Sequence, residues 1–478
     1  MDIHIIDLII FIAYLVFMLG IGFYFLSKNK SNDDYYVGGR NMSSGHIGLS
    51  VVATDVGGGF SIGLGGLGFL MGLSGSWMLF TGLLGAWISA VFLIPKVYPI
   101  AKKHSFLTFP QSLAFHYNAK VALMAGVISL IGYIGFTSSQ ILAGAKLASA
   151  TFPSISITQA VLIMGVIAVI YTVIGGIKAV IYTDTIQWII LMVGLIAIGI
   201  PVGFIEIGGW NAIKESLPNS FLSLTNLKFI DFFNWIITIV PIWFVGMTLY
   251  QRIYACKDER TAKKAWKVAG LFEYPIMAFM GVTLGLFSRV AFEQGMFTTI
   301  GYSPNMAMDS ELGLPLLLRT ILPVGLMGLM MSAYFSAIMS TADSCLMAAS
   351  GNLTTDILGY FKKIISIRST QIITFLIGGL AIVLATMMQS VLELMLYSYA
   401  FMVSGLLIPV LGSLLLKRPS SKAAFYAMIA GGSTTLVLII SKAELPFELD
   451  ANFFGITAAL LIFIGVQYVE KNRLKWQS

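Results

Sequence analysis

Residues 46–71 read HIGLSVVATDVGGGFSIGLGGLGFLM, a stretch long enough to cross a membrane and composed to break in its middle. A helix needs about 20 apolar residues to span the hydrocarbon at 1.5 Å per residue. Here Asp55 and Val56 precede Gly57, Gly58 and Gly59, with Gly63, Gly65, Gly66 and Gly68 beyond. Glycine gives up the most backbone entropy in a helix, so the run weakens helical continuity. Small residues also let helices pack closely in a membrane. Packing alone does not account for a carboxylate at mid-depth. Unwound backbone survives at that depth only where protein or a water-filled cavity surrounds it, so the segment predicts a break lining a binding cavity.

The same length rule, applied outward, gives spans near 3–26, 74–98, 121–150, 157–175, 179–204 and 231–253. Others follow near 264–293, 315–350, 369–390, 393–416, 422–441 and 451–469. The expected fold is an all-α membrane protein of about 13 transmembrane helices. Composition agrees: 57% of the 478 residues are hydrophobic and 11% charged, against about 25% charged in soluble domains. The first apolar run has neither a basic start nor a small-residue cleavage site, so it reads as a retained helix. The +7 formal charge sits in short loops and reports topology rather than nucleic-acid binding. Placing the amino terminus outside and the carboxyl terminus inside puts all 29 Lys and Arg but Lys146, Lys214, Lys228, Arg289, Arg319 and Lys442 on the cytoplasmic side. On this basis Arg252 begins a cytoplasmic loop, 252–267.

A second anomaly lies at Pro241, followed by Trp243 and Gly246. Proline removes a backbone donor and opens the helix one turn upstream. The two broken spans are five apart, the spacing of an inverted repeat of two five-helix units with binding between the broken helices. The chain then forms one membrane domain, 1–478. It has an extra amino-terminal helix at 3–26, repeats at 46–204 and 231–416, and two carboxyl-terminal helices at 422–469.

Ala337, Ser340, Thr341 and Ser344 fall on one helical stripe at i, i+3, i+4 and i+7. Hydroxyls beside a small residue offer oxygens to a hard cation such as sodium, or simply back-bond and pack. Asp343 in the same helix is unexplained by packing, since intramembrane charge is costly and by default functional. Asp184 lies roughly 9 Å inside its span, and Ser340 and Asp55 roughly 13–15 Å inside theirs, so the three can meet in the inner half of the membrane. Glu273 is a fourth intramembrane carboxylate without an oxygen-rich stripe, read as a structural partner of a neighbouring helix.

These motifs resemble the solute:sodium symporter family. Asp33-Asp34-Tyr35-Tyr36-Val37-Gly38-Gly39-Arg40 is similar to the family's loop after its extra first helix. Residues 171–176 (YTVIGG) and 182–187 (YTDTIQ) resemble its signature across the fourth and fifth core helices. Ala337 to Ser344 resembles its eighth. The resemblance is closest to the sodium/proline symporter and choline-transporter branches, although the latter carries an aromatic residue where Asp55 stands. It implies a leucine-transporter-type architecture and Na+ between the first and eighth core helices. The implied ligands are the carbonyls of Ala53, Val56 and Ala337 and the hydroxyls of Ser340 and Thr341, with Asp55 in support. A second sodium site, present in some members, would use Asp184, Ser340 and Ser344; Asp343 stands where such a site elsewhere has serine, leaving one or two ions open.

The solute is expected at the midplane beside Gly58, Phe60, Phe136, Gln140, Trp243 and Gly246. No basic residue is evident at that depth, which disfavours a multiply charged anion; an amino acid or amine-like compound is preferred and a sugar stays open. The expected function is sodium-coupled import of a small organic solute by alternating access across a bacterial inner membrane. Proton coupling through Asp55, Asp184 and Asp343, a channel, and a membrane sensor are the alternatives. Beyond sodium, solute and lipid no partner is expected, and no catalytic constellation points to an enzyme.

Overall fold

The computed structural model describes residues 4–26, 36–37, 40–55, 57–152, 154–361 and 366–475. Val56 lies outside that set, as do the side chains of Phe60 and of residues 174–180. The described residues are helical, without a β-strand. In chain order the long elements are α1 (Ile5–Leu26), α2 (Ser44–Asp55), α3 (Gly57–Met71), α4 (Trp77–Phe92), α5 (Ala119–Thr151) and α6 (Ile157–Gly194). Next come α7 (Phe229–Val245), α8 (Met247–Ala255), α9 (Glu259–Leu271), α10 (Ala278–Glu293) and α11 (Ser310–Ile321). The last five are α12 (Leu326–Gly351), α13 (Ile367–Thr386), α14 (Val391–Leu415), α15 (Ser421–Ser441) and α16 (Ala451–Lys475).

α12 forms the centre. Every residue from Met330 to Gly351 is buried, with α1, α2, α3, α5 and α6 packed around it. Outer helices show the reverse pattern. On α13, Ile372, Phe375, Leu376, Leu380 and Val383 are exposed while Thr374, Gly378 and Ala381 face inward. Such apolar stripes suit lipid rather than water. Side chains start several helices: Asn118 accepts from the Val121 amide at 3.0 Å, and Asp7 on α1 accepts from the amides of Gly325 and Gly328, each at 2.7 Å, at the start of α12.

Eight helices among the described residues are long and apolar enough to cross a membrane, nine when the bent pair α7–α8 counts as one span. That is fewer than the thirteen spans expected. α12 has the length but is not among them, because the polar residues of its buried stripe lower its hydropathy.

Three boundaries differ from expectation. The turn expected at 176–178 is helical, since α6 runs unbroken from Ile157 to Gly194. Gly175 and Gly176 weaken a helix, but without a proline the backbone bonding continues across them. The break expected around Pro241 falls at Gly246, where α7 and α8 meet at a 43° bend. Pro241 deprives the Ile237 carbonyl of its helical donor, and the Asn452 side chain replaces it at 3.2 Å. The span expected at 264–293 is interrupted at Phe272–Met277, where Tyr274 is extended (φ −137°, ψ 123°). Pro275 follows it, and a proline disfavours the helical region for the residue before.

Candidate functional site

The break between α2 and α3 is made by its glycines. Gly57 has φ +41°, a left-handed backbone that other residues rarely adopt. A Cβ at Gly57 would run into the Thr341 side chain, and one at Gly58 into Ile338. The glycines therefore let α12 press directly against the interruption. At that contact Thr341 Oγ1 donates to the Ala53 carbonyl at 2.7 Å and lies 3.3 Å from the Ala337 carbonyl. Ala53, Ala337 and Thr341 thus come together, wholly buried. Two carbonyls and a hydroxyl form the kind of oxygen set a hard monovalent cation accepts. Val56, the remaining carbonyl expected there, lies outside the described residues.

Ser340 turns to the side and donates to Asp184. Ser50 donates to the other Asp184 oxygen at 2.6 Å. Sequence reasoning missed the next partner. Arg252, assigned to a cytoplasmic loop, is wholly buried. Its Nη2 donates to Ser344 Oγ at 2.6 Å, its Nε to Ser50 Oγ at 3.3 Å, and its Nη1 to the Thr248 carbonyl at 3.3 Å. The guanidinium is also 3.8 Å from Asp184 Oδ2. Asp184, Ser340 and Ser344 converge as the second-site expectation required, with an arginine already among them. Asp343 accepts from Thr172 at 2.5 Å. The signal for Arg252 lay in its neighbours: apolar Ile253 and Tyr254 follow it, so the chain after Gly246 continues into the core.

Of the expected solute residues, Phe136, Gln140 and Gly246 line the other side of the break, Gly58 faces Ile338 on α12, and the Phe60 side chain lies outside the described residues. The Gly59 amide donates to Gln140 Oε1 at 2.9 Å. Phe136 meets Tyr399 edge-on with ring centroids 4.9 Å apart. Tyr399, absent from the sequence expectations, donates to Asp55 Oδ1 at 3.3 Å. Gly246 joins the cluster through Tyr133: a Cβ there would lie 3.3 Å from the Tyr133 hydroxyl, whose ring is 6.4 Å from Phe136. Trp243 is buried against Trp266, centroids 6.3 Å apart. Glu273 reaches Asp55, at the end of neighbouring α2, from the α9–α10 interruption.

A sequence model described as the sodium:solute symporter family matches residues 35–431. The sodium/myo-inositol cotransporter of Bos taurus is 27% identical over 93% of this chain and 68% of its own length. The high-affinity proline transporter PutP of Bacillus subtilis (strain 168) is 26% identical over 93% of this chain and 94% of its own. Among solved structures, a Na+-coupled sialic acid symporter in a substrate-bound outward-open state superposes with TM-score 0.75 at 20% identity, covering 96% of each chain. The likeness establishes the shared fold, of the leucine-transporter type expected. The molecule is a multi-pass membrane carrier, not an enzyme, and couples sodium to an organic solute. With the match spanning all three interruptions and the central helix, the chain belongs to the sodium:solute symporter family.

Proposed function

We propose that this carrier imports a small organic solute together with one sodium ion, held where the α2–α3 interruption faces α12. The observation that carries the proposal is the Thr341 hydroxyl donating to the Ala53 carbonyl at 2.7 Å. It joins two segments far apart in sequence, at a point where both expose oxygen rather than carbon. Rotation of that hydroxyl turns its lone pairs toward an ion. The carbonyls of Val56 and Ala337 and the hydroxyl of Ser340 complete the ligand set, with Asp55 beside it. The second set, Asp184, Ser340, Asp343 and Ser344, receives no ion of its own, because the Arg252 guanidinium already supplies the positive charge there.

The solute binds across the break on Gly58, Phe60, Phe136, Gln140, Trp243 and Gly246, and the class favoured is an amino acid or amine. Sodium ties the interrupted helix to α12 and so orders the glycine backbone lining the solute site. Each ligand then raises the affinity of the other by the same factor. Inward opening separates α12 from Ala53 and releases the ion. The segments 46–204 and 231–416 serve as the two inverted repeats. The membrane is the bacterial inner membrane, with the amino terminus outside and the carboxyl terminus inside, as the placement of Lys and Arg favours.

Uptake into proteoliposomes under separately imposed gradients tests this. A sodium gradient should drive accumulation and a proton gradient alone should not. Uptake indifferent to sodium would overturn the proposal in favour of proton coupling.

A further inference from the structure

We propose that Glu273 and Asp55 together form the receptor for a protonated primary amine on the transported solute. The inference rests on the symporter site described above and assigns its substrate class. Glu273 is fully buried, and neither of its carboxylate oxygens has a hydrogen-bond partner among the described residues. Asp55 Oδ2 is also without one. The two carboxyl groups reach each other across the gap between the α2–α3 and α9–α10 interruptions. The two acids thus have only each other, through a shared proton, to satisfy three buried acceptor atoms. Buried acceptors left unpaired are unfavourable, and charged ones more so, until a ligand supplies donors.

The chemistry of that ligand follows from the surroundings. A primary ammonium brings three N–H donors and one positive charge, matching three oxygens on two acids. A quaternary ammonium brings the charge without the donors. A sugar brings donors without the charge, and a carboxylate is repelled. The walls are aromatic. A Cβ at Gly82 on α4 would press on Glu273 Oε2, and one at Gly85, a turn further along, on the Trp243 indole. Acid and indole thus share one face of α4, with Tyr399 and Phe136 opposite at Asp55. Aromatic faces attract organic cations.

A cavity of about 350 Å³ lies along the half of α3 remote from the break, lined by Gly63, Gly66, Glu311, Glu393 and Asp450 and by no Lys or Arg. Lys146 balances Glu311 from behind at 2.6 Å. The remaining acids attract cations to that cavity.

The test uses the full-length protein purified in detergent with sodium present, followed by thermal shift and titration. The probes are primary amines of two to six carbons, their N-trimethyl counterparts, and the matching alcohols and carboxylates. Primary amines should raise Tm and the other classes should not. Glu273→Gln should weaken amine binding at least about thirtyfold, the low end for removing one partner of a buried charge pair, while keeping the stabilisation by sodium alone. Stabilisation by alcohols or carboxylates instead of amines, or no amine shift at all, overturns the proposal on the unmutated protein. Amine binding untouched in Glu273→Gln, or loss of the sodium response in that variant, overturns it as well. Sodium failing to stabilise the wild type would defeat the sodium site separately, leaving the class selectivity to be judged by the panel.

Discussion

Arg252 shows how much one buried side chain decides. Its guanidinium joins Ser344, Ser50 and Asp184, linking α8, α12, α2 and α6 through a single charge. Removing one partner of a buried ion pair strands the other and costs about 3–5 kcal/mol. Arg252→Met should therefore lower unfolding stability by that order, and adding Asp184→Asn should restore a large part. A denaturation cycle over the two single variants and the double measures the coupling; additive losses would show that the pair does not act as one unit. Thr341 was legible in sequence because a helix converts its spacing from Ala337 directly into a shared face, whereas adjacent Ser340 points aside to Asp184. Arg252 was not, since a basic residue at the end of an apolar run reads as a membrane anchor, and its acid partner lies on a different helix. Tyr399 gave no signal: an aromatic residue in a transmembrane helix looks the same facing lipid or facing Asp55.

Among the elements, the interruptions position the chemistry. The one before Gly57 was readable because three consecutive glycines have no other common use beside an acid. The one at Pro241 was misplaced, and its cause is testable. Asn452 donates to the Ile237 carbonyl at 3.2 Å and to Thr238 Oγ1 at 2.8 Å. That contact carries α7 through its proline and moves the bend to Gly246. Asn452→Leu leaves a buried carbonyl without its donor, which costs about 1–3 kcal/mol. The expected result is a lower Tm in detergent with the sodium response intact; an unchanged Tm would mean that the carbonyl finds another donor. The interruption at Phe272–Met277 went unread although Pro275 stood in view, because hydropathy across 264–293 is continuous. It proved informative, since it turns Glu273 toward Asp55 instead of along the α9 axis.

For the molecule as a whole, the family match fixes a sodium-coupled carrier, and the proposed stoichiometry rests on charge. With Arg252 beside Asp184, the proposal is one sodium per cycle. Uptake should rise with sodium along a simple saturation curve with a Hill coefficient of about one, while sigmoidal dependence would point to a second ion. The helical class was legible from composition alone. The count of thirteen is not confirmed among the described residues, where the central α12 is too polar to register by hydropathy and α6 carries straight through a glycine pair that looked like a turn.

The central claim is that oxygens of Ala53 and Thr341 grip the same ion. Equilibrium binding of radioactive sodium to purified protein tests it most directly. One ion should bind per chain, Thr341→Ala should weaken it by about tenfold or more, as expected for losing a contact to a charged group, and Thr341→Ser should largely preserve it. Two ions per chain, or sodium binding indifferent to Thr341→Ala, would contradict the claim.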